Sequence, residues 1–281
     1  MESRSGHLAW LPHLILVLGL ALVGFPIYVT FVGSTMTTPE ILSGRMSLMP
    51  GGHFVENYLA ALTQGMPQLS GVPVARLLLN SLIMALSIAL GKMLISFLSA
   101  YAIVFFRFPG RMVCFWMIFL TLMLPVEVRI VPTFQVTANL GLIDTYGGLA
   151  IPLIASATAT LLFRQFFLTI PDELIEAARL DGAGPLRFLW DVLLPLSRTN
   201  LAALFVILFV YGWNQYLWPL LVTNTASMTT LVVGIKSMLT VDANTPWHLV
   251  MAMAILAMVP PAAVVLLMQR WFVKGLVDAE K

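Results

Sequence analysis

Long apolar runs, separated by short polar segments, dominate the chain. A bilayer core about 30 Å thick needs roughly 20 helical residues at about 1.5 Å each. Six runs of about that length stand out, near 11–32, 77–105, 112–128, 148–163, 201–222 and 249–269. None alternates with a period of two, which argues against a β-barrel. The pattern predicts an all-α protein, a polytopic bundle of six transmembrane helices in a single domain, 1–281. The first run is longer than the roughly 7–15 residues of a signal-peptide core, and five more follow it, so it is read as a helix. Proline and glycine fall in or beside these runs at Pro26, Gly91, Pro125, Pro132, Pro152, Gly212, Pro219, Pro260 and Pro261. Proline removes a backbone donor and bends a helix. Ordinary helix packing and a set of hinges both account for them. The polar segment 33–74 has little periodicity and is expected to pack against the helices or a partner.

Composition agrees with membrane embedding. Hydrophobic residues make up 59% of the chain and charged residues 10%, against about 25% charged in a soluble domain. Mean hydropathy is +0.93. A formal net charge of +2 gives no electrostatic footprint for nucleic acid. The single cysteine, Cys114, rules out an intramolecular disulfide and a cysteine metal cluster. His7, His13, His53 and His248 are scattered without ligand spacing. No metal, cofactor or catalytic site is therefore expected.

The basic residues set an orientation. With the N-terminus inside, Arg4, Arg107, Arg111, Arg164, Arg179, Arg187, Arg198, Arg270, Lys274 and Lys281 are cytoplasmic, and Arg45, Arg76, Arg129 and Lys236 are outside. Both termini and the segment 164–200 then lie in the cytoplasm, and 33–74 in the periplasm. Lys92 alone lies well inside a run.

Within 164–200, the stretch EAARLDGAGPLRFLWDVLLPL at 176–196 is unusually charged. Thr169-Ile170-Pro171-Asp172 resembles a capping box, and Asp172 and Glu173 suit the positive end of a helix dipole. A helix is predicted over 173–181. Gly182 follows where a left-handed stop is cheap. Pro185 opens a second short helix and Pro195 closes it. Leu174, Ala178 and Asp181 share one face, and Ala177 and Ala178 leave the surface shallow enough for another backbone to approach.

The spacing in this stretch is Glu-Ala-Ala, three residues, Gly, nine residues, an aliphatic, one residue, then Leu-Pro. It is met at Glu176, Ala177, Ala178, Gly182, Val192, Leu194 and Pro195. This resembles the EAA loop of binding-protein-dependent ABC transporter permeases, and a chance match at so many positions is remote. YGWNQYLWPL at 211–220 is similar to the fifth-helix signature of the six-helix carbohydrate-type subfamily. TLMLPVEVRI at 121–130, SATATLLFRQFF at 156–167 and MQRWFVKGLVDAEK at 268–281 look closer to permeases of sn-glycerol-3-phosphate importers.

The resemblance implies one permease subunit of an ATP-driven importer. Its partners would be a second permease subunit, two copies of an ABC ATPase and a periplasmic substrate-binding protein. It implies that Glu176, Ala177, Ala178, Asp181, Gly182, Ala183 and Leu186 dock into the ATPase. The end of the chain keeps Gly275-Leu276 but departs from the sugar-permease tail pattern, so tail contacts with the ATPase are not carried over. The substrate implied is sn-glycerol 3-phosphate with related glycerophosphodiesters; a sugar or oligosaccharide is the alternative within the family.

No G-x-x-x-x-G-K-[ST] pattern occurs, so ATP hydrolysis must come from a partner. A channel or carrier working without ATP is the more distant rival. Lys92, Arg129, Trp213 and Asn214 are the candidate solute-pathway residues. A charge near the bilayer centre costs roughly 2.5–3.5 kcal/mol on insertion scales and usually faces a bundle interior or a watery cavity. Glu127 lies two positions from Arg129, a spacing at which helical side chains do not face each other. Lys92 and Arg129 can then offer a positive field to a phosphorylated solute. The plainer possibility is a snorkelling or internally paired Lys92 with Arg129 at the headgroups.

Overall fold

The structure is a computed structural model that describes residues 10–44, 46–65, 67–121, 126–239 and 245–278, with the side chains of 68, 126, 127 and 270–278 outside the description. Arg4, His7, Arg45, Pro125, Asp242, Glu280 and Lys281 lie outside the described residues. Among the described residues every regular element is helical. In chain order they are α1 (Leu11–Ser34), α2 (Thr38–Leu42), α3 (Phe54–Thr63), α4 (Val74–Phe105), α5 (Arg111–Leu120) and α6 (Val126–Asn139). Then come α7 (Tyr146–Ala150), α8 (Ala157–Phe167), α9 (Asp172–Leu180), α10 (Pro185–Phe188) and α11 (Leu194–Leu196). The chain continues as α12 (Arg198–Trp213), α13 (Leu217–Val222), α14 (Leu231–Leu239) and α15 (Trp247–Asp278).

By length and composition, α1, α4 and the Trp247–Gln269 part of α15 can each cross a membrane. Two bent pairs raise the number to five if each is one span: Tyr146–Leu153 with Ala157–Phe167, bent by 50°, and Pro185–Leu196 with Arg198–Trp213, bent by 73°. The predicted third span is represented by α5, only ten residues long, and by the start of α6, with 122–125 between them undescribed.

Two predicted spans are not continuous helices. The run at 148–163 breaks before α8, where the Ser156 hydroxyl accepts from the Ala159 N–H at 3.2 Å and caps a new helix. The run at 201–222 breaks after Trp213. Pro219, near the start of α13, lacks a donor, and its ring excludes the helical position of the Gln215 carbonyl. Pro26, Pro132, Pro260 and Pro261 lie inside unbroken helices. Proline alone therefore does not decide the breaks.

The described residues form two compact units. One combines the chain up to Arg76 with 234–259. There the polar segment 33–74 is folded against its own helices, in line with its expected packing. The Asn57 amide donates to the carbonyls of Ser34 at 2.9 Å and Met36 at 2.8 Å. Thr38 Oγ1 lies 2.7 Å from His248 Nδ1. Gly33 packs against Met251 so closely that a Cβ there would overlap its sulfur. Thr37 caps α2, and its hydrogen bonds hold the exposed Glu40 carboxyl below the usual carboxylate range.

The other unit holds 77–233 and the chain from Pro260. Its core includes Met84, Ile88, Leu149, Ala150, Trp218 and Val222. The Trp218 indole donates to the Gly148 carbonyl at 3.0 Å. Asn80, fully buried, donates to the carbonyls of Ser227 and Thr229 and accepts from the Tyr146 hydroxyl. Asp144 adopts a left-handed φ of 57° and receives the backbone N–H groups of Asn224 and Thr225 at 2.7 and 2.9 Å. These bonds hold its carboxyl below the ordinary range.

Candidate functional site

The loop from α8 to α12 is built on a helix stop that its sequence encodes. The α9 helix begins at Asp172 with Pro171 as its N-cap, and the Thr169 hydroxyl bonds back to Phe166. The capping box expected at Thr169 is therefore not formed, because the proline moves the helix start past it. Asp172 and Glu173 do occupy the first turn. At the other end Gly182 adopts φ +72°. Its N–H reaches the Arg179 carbonyl at 3.0 Å, and the Ala183 N–H reaches Ala178 at 2.9 Å. This is a Schellman stop, which requires the left-handed residue found here.

Pro185 then opens α10 as its first residue. The helix does not close at Pro195. It runs on through a π-helical turn, Leu189–Leu193, into α11, which contains Pro195 near its start, and the chain turns at Ser197. Proline is tolerated there because its missing donor falls in a first turn.

One face of this loop is anchored. Ala178, Phe188, Leu189 and Leu193 are buried. The Tyr101 hydroxyl, on α4, donates to the Pro185 carbonyl at 2.8 Å. The Phe105 ring lies 5.4 Å from Phe188 and 5.7 Å from Phe167. Aromatic pairs at such distances add about 0.5–1.5 kcal/mol beyond burial. The loop and the end of α4 are thus joined by a hydrogen bond and a stack of rings.

The opposite face is open. Leu180 is 89% exposed, Leu186 72% and Trp190 64%. Glu176, Ala177, Asp181 and Gly182 are exposed beside them, and Ala183 is half-buried. Leu174 and Asp181 are exposed but Ala178 faces inward, so the expected shared face of those three is not a single open surface. Exposed leucines and a tryptophan among charged residues form the kind of surface that mates with another protein. Arg187 and Asp191 pair at 3.3 Å, an exposed contact worth little by itself.

The candidate pathway residues separate. Lys92, on α4, is only 7% exposed, and its Nζ sits 3.7 Å from the centre of the Tyr211 ring on α12. The register that creates this contact comes from Gly212. A Cβ there would lie 3.0 Å from the Ala85 Cα and 3.4 Å from the Ile88 Cβ. Ala85, Ile88 and Lys92 follow one another on a single face of α4. Close approach at glycine therefore brings Tyr211 over the ammonium. Gly91 likewise admits Ile154, whose Cγ2 would be 2.6 Å from a Cβ. Among the described residues no carboxylate lies within ion-pair distance of Lys92.

Arg129 is exposed on α6. Trp213 is 2% exposed and stacked on Phe209 at 6.0 Å, and so packs in the interior. Asn214 is exposed where α12 stops. Tyr211 and Tyr101 were not singled out by the sequence. Tyr211 lay inside the quoted YGWNQYLWPL signature, and its offset of one residue from Gly212 was the only available hint.

Residues 92–278 match the family described as the binding-protein-dependent transport system inner membrane component. The chain is 66% identical over 270 residues to the sn-glycerol-3-phosphate transport system permease protein UgpE of Agrobacterium fabrum, covering 96% of each chain. It is 64% identical over 270 residues to the protein of that name from Brucella melitensis, again over 96% of each. The Yersinia pestis protein of that name is 58% identical over 282 residues, 100% of both chains. In fold it is similar to a crystal structure of a bacterial ABC transporter involved in the import of the acidic polysaccharide alginate. The TM-score is 0.82 at 23% identity, over 97% of this chain and 99% of that one. An identity that low speaks for the fold alone. Together, the long apolar helices, the loop geometry and the family match establish that this chain is a multi-pass membrane protein belonging to the binding-protein-dependent transport system inner membrane component family.

Proposed function

We propose that this chain is one of two permease subunits in an ATP-driven importer of sn-glycerol 3-phosphate. It would work with a second permease subunit, two copies of an ABC ATPase and a periplasmic binding protein. The observation that carries the substrate is the 58–66% identity, over nearly the whole chain, to relatives named as sn-glycerol-3-phosphate permeases. The basic-residue bias supports a cytoplasmic loop and cytoplasmic termini.

In this reading the exposed face of the loop, with Glu176, Ala177, Asp181, Gly182 and Leu186, sits in the ATPase. Ala178 and Ala183 pack behind it. Closure of the ATPase displaces α9 to α11 as a unit. The Tyr101–Pro185 bond and the Phe105–Phe188 contact carry that displacement into α4, which also bears Lys92. Lys92 and Arg129 supply a positive field along the path of the anionic solute, with Asn214 beside it. The chain contributes positioning and electrostatics, and the partner supplies the hydrolysis.

The test is uptake of labelled sn-glycerol 3-phosphate in cells lacking their own equivalent subunit, with and without the partner ATPase. Uptake restored only when the ATPase is present supports the proposal. Restored uptake of a sugar in place of sn-glycerol 3-phosphate would redirect the substrate. Uptake that persists without the ATPase would remove the coupling role.

A further inference from the structure

At the loop end of α4 the chain forms a cleft of about 610 Å³ that the transport reading does not use. Its walls include Tyr101, Phe105, Phe106 and Phe188, and it is crossed by Arg107 and Arg179. A second cleft of about 420 Å³ shares Arg107 and Arg179 and adds Arg111, together with Asp172 and Glu176. The larger cleft has no carboxylate in its lining. Among the described residues no carboxylate lies within ion-pair distance of Arg107, Arg111 or Arg179. The larger cleft thus presents two arginines and no carboxylate of its own, and its walls are largely aromatic.

The length of α4 places the cleft in depth. Its 32 residues span about 48 Å, while the hydrocarbon core is about 30 Å thick and the bilayer with headgroups about 40–45 Å. A helix of that length is long enough to carry its last turn, Tyr101 to Phe105, into the headgroup layer. Phe106 and Phe108, both exposed, continue that interfacial segment. The cleft also lies behind α9, lined by Ile175, Ala178 and Arg179, whereas the open patch of Leu180, Leu186 and Trp190 contributes nothing to its lining.

We infer that this cleft binds the phosphodiester headgroup of an anionic phospholipid. The inference rests on the proposed membrane reading of the chain but not on its solute. Arg107 and Arg179 grip the phosphate through charge-assisted hydrogen bonds, and the rings hold the glycerol and first methylenes. Basic pockets beside membrane helices take such headgroups. A soluble phosphate ester shares the phosphate chemistry, but it would leave the aromatic walls without an apolar partner. The bound lipid joins α9 to the end of α4, in parallel with the Tyr101–Pro185 bond, and so tunes coupling to the lipid surface.

The test uses the assembled transporter in nanodiscs of phosphatidylcholine with added phosphatidylglycerol, and reads retained phosphatidylglycerol by native mass spectrometry. Arg107→Gln is the first variant, because Arg107 is exposed and lies in the turn after α4. We expect binding about fivefold weaker for Arg107→Gln or Arg179→Gln and about twenty-five-fold weaker for both together. Arg198→Gln, at an exposed arginine outside both clefts, should bind like the parent. Millimolar inorganic phosphate should not displace the lipid. Parental binding in the double variant overturns the site, and equal weakening by Arg198→Gln reduces it to general surface charge. Displacement by phosphate would reassign the cleft to a soluble ester. Because lipid retention is read without transport, none of these outcomes depends on which solute is carried.

Discussion

At the scale of residues, the informative contact is Lys92 over Tyr211. A buried ammonium in a span must be compensated, and here the compensation is a ring face at 3.7 Å and not a carboxylate. A cation–π contact is worth about 2 kcal/mol or more when desolvated. It leaves the charge itself intact, whereas a carboxylate would cancel the local field. That suits a residue meant to act on a passing anion. Lys92→Met and Arg129→Gln should each lower sn-glycerol 3-phosphate uptake about tenfold, equivalent to about 1.4 kcal/mol in the pathway, while ATPase stimulation by the loaded binding protein stays near parental. Parental uptake in both would make the two cations structural. A thermodynamic cycle separates the ring's part. Tyr211→Leu should lower the thermal stability of the purified complex and Tyr211→Phe should not. Adding Lys92→Met to Tyr211→Leu should recover about 1–2 kcal/mol of coupling, since no buried charge then lacks its partner. Strict additivity of the two changes would show that the ring does not hold the ammonium.

At the scale of elements, the Schellman stop at Gly182 fixes where α9 ends and α10 begins. Nothing lies within 4 Å of a Cβ built there, so the constraint is backbone conformation and not space. A β-branched residue at φ +72° costs about 1 kcal/mol or more. Gly182→Val should therefore shift the stop, leave the permease in the membrane at near-normal level, reduce ATPase co-purification and abolish uptake. Gly182→Asn, which tolerates the left-handed region, should retain most of both. Normal ATPase attachment and uptake in the valine variant would remove the coupling assignment.

This element was legible because its signals are local: a glycine after a helical run, a proline at a first turn, fixed spacing between them. The broken spans were less so. Pro26 and Pro132 sit in continuous helices while Pro219 accompanies a break, and composition within a run does not separate these cases. The stop at Asn214 and the cap at Ser156 do separate them, and both are polar residues that apolar averaging over a window conceals. The Lys92–Tyr211 contact was not legible at all. It depends on the register of α4 against α12, fixed by Gly212 meeting Ala85 far away in sequence. The arginine cleft behind α9 likewise exists only once the loop folds back onto the end of α4.

At the scale of the whole molecule, the number of crossings decides which faces the parts present. Among the described residues three helices are long and apolar enough to cross, and the number rises to five if each bent pair is one span. An odd number would put the two ends of the chain on opposite sides. A sixth crossing would have to come from the α5–α6 region, where α5 is too short to span alone. Its ten residues cover about 15 Å of a core about 30 Å thick, so α5 alone does not span it. The proposed orientation, with both ends and the loop on one side, requires six. Single cysteines introduced at Arg107, Arg179, Glu56 and Lys281, with Cys114→Ser as background, separate the alternatives through an impermeant thiol reagent applied to intact spheroplasts. Glu56→Cys, on the exposed face of α3, should label from outside, and the other three only after the membrane is opened. External labelling at positions 179 and 281 with internal labelling at 107 would mean five crossings, with none between α4 and α7. External labelling at 179 would place the loop, and the arginine cleft behind it, on the side that holds no ATP, and the exposed leucines and Trp190 would then need a partner of another kind.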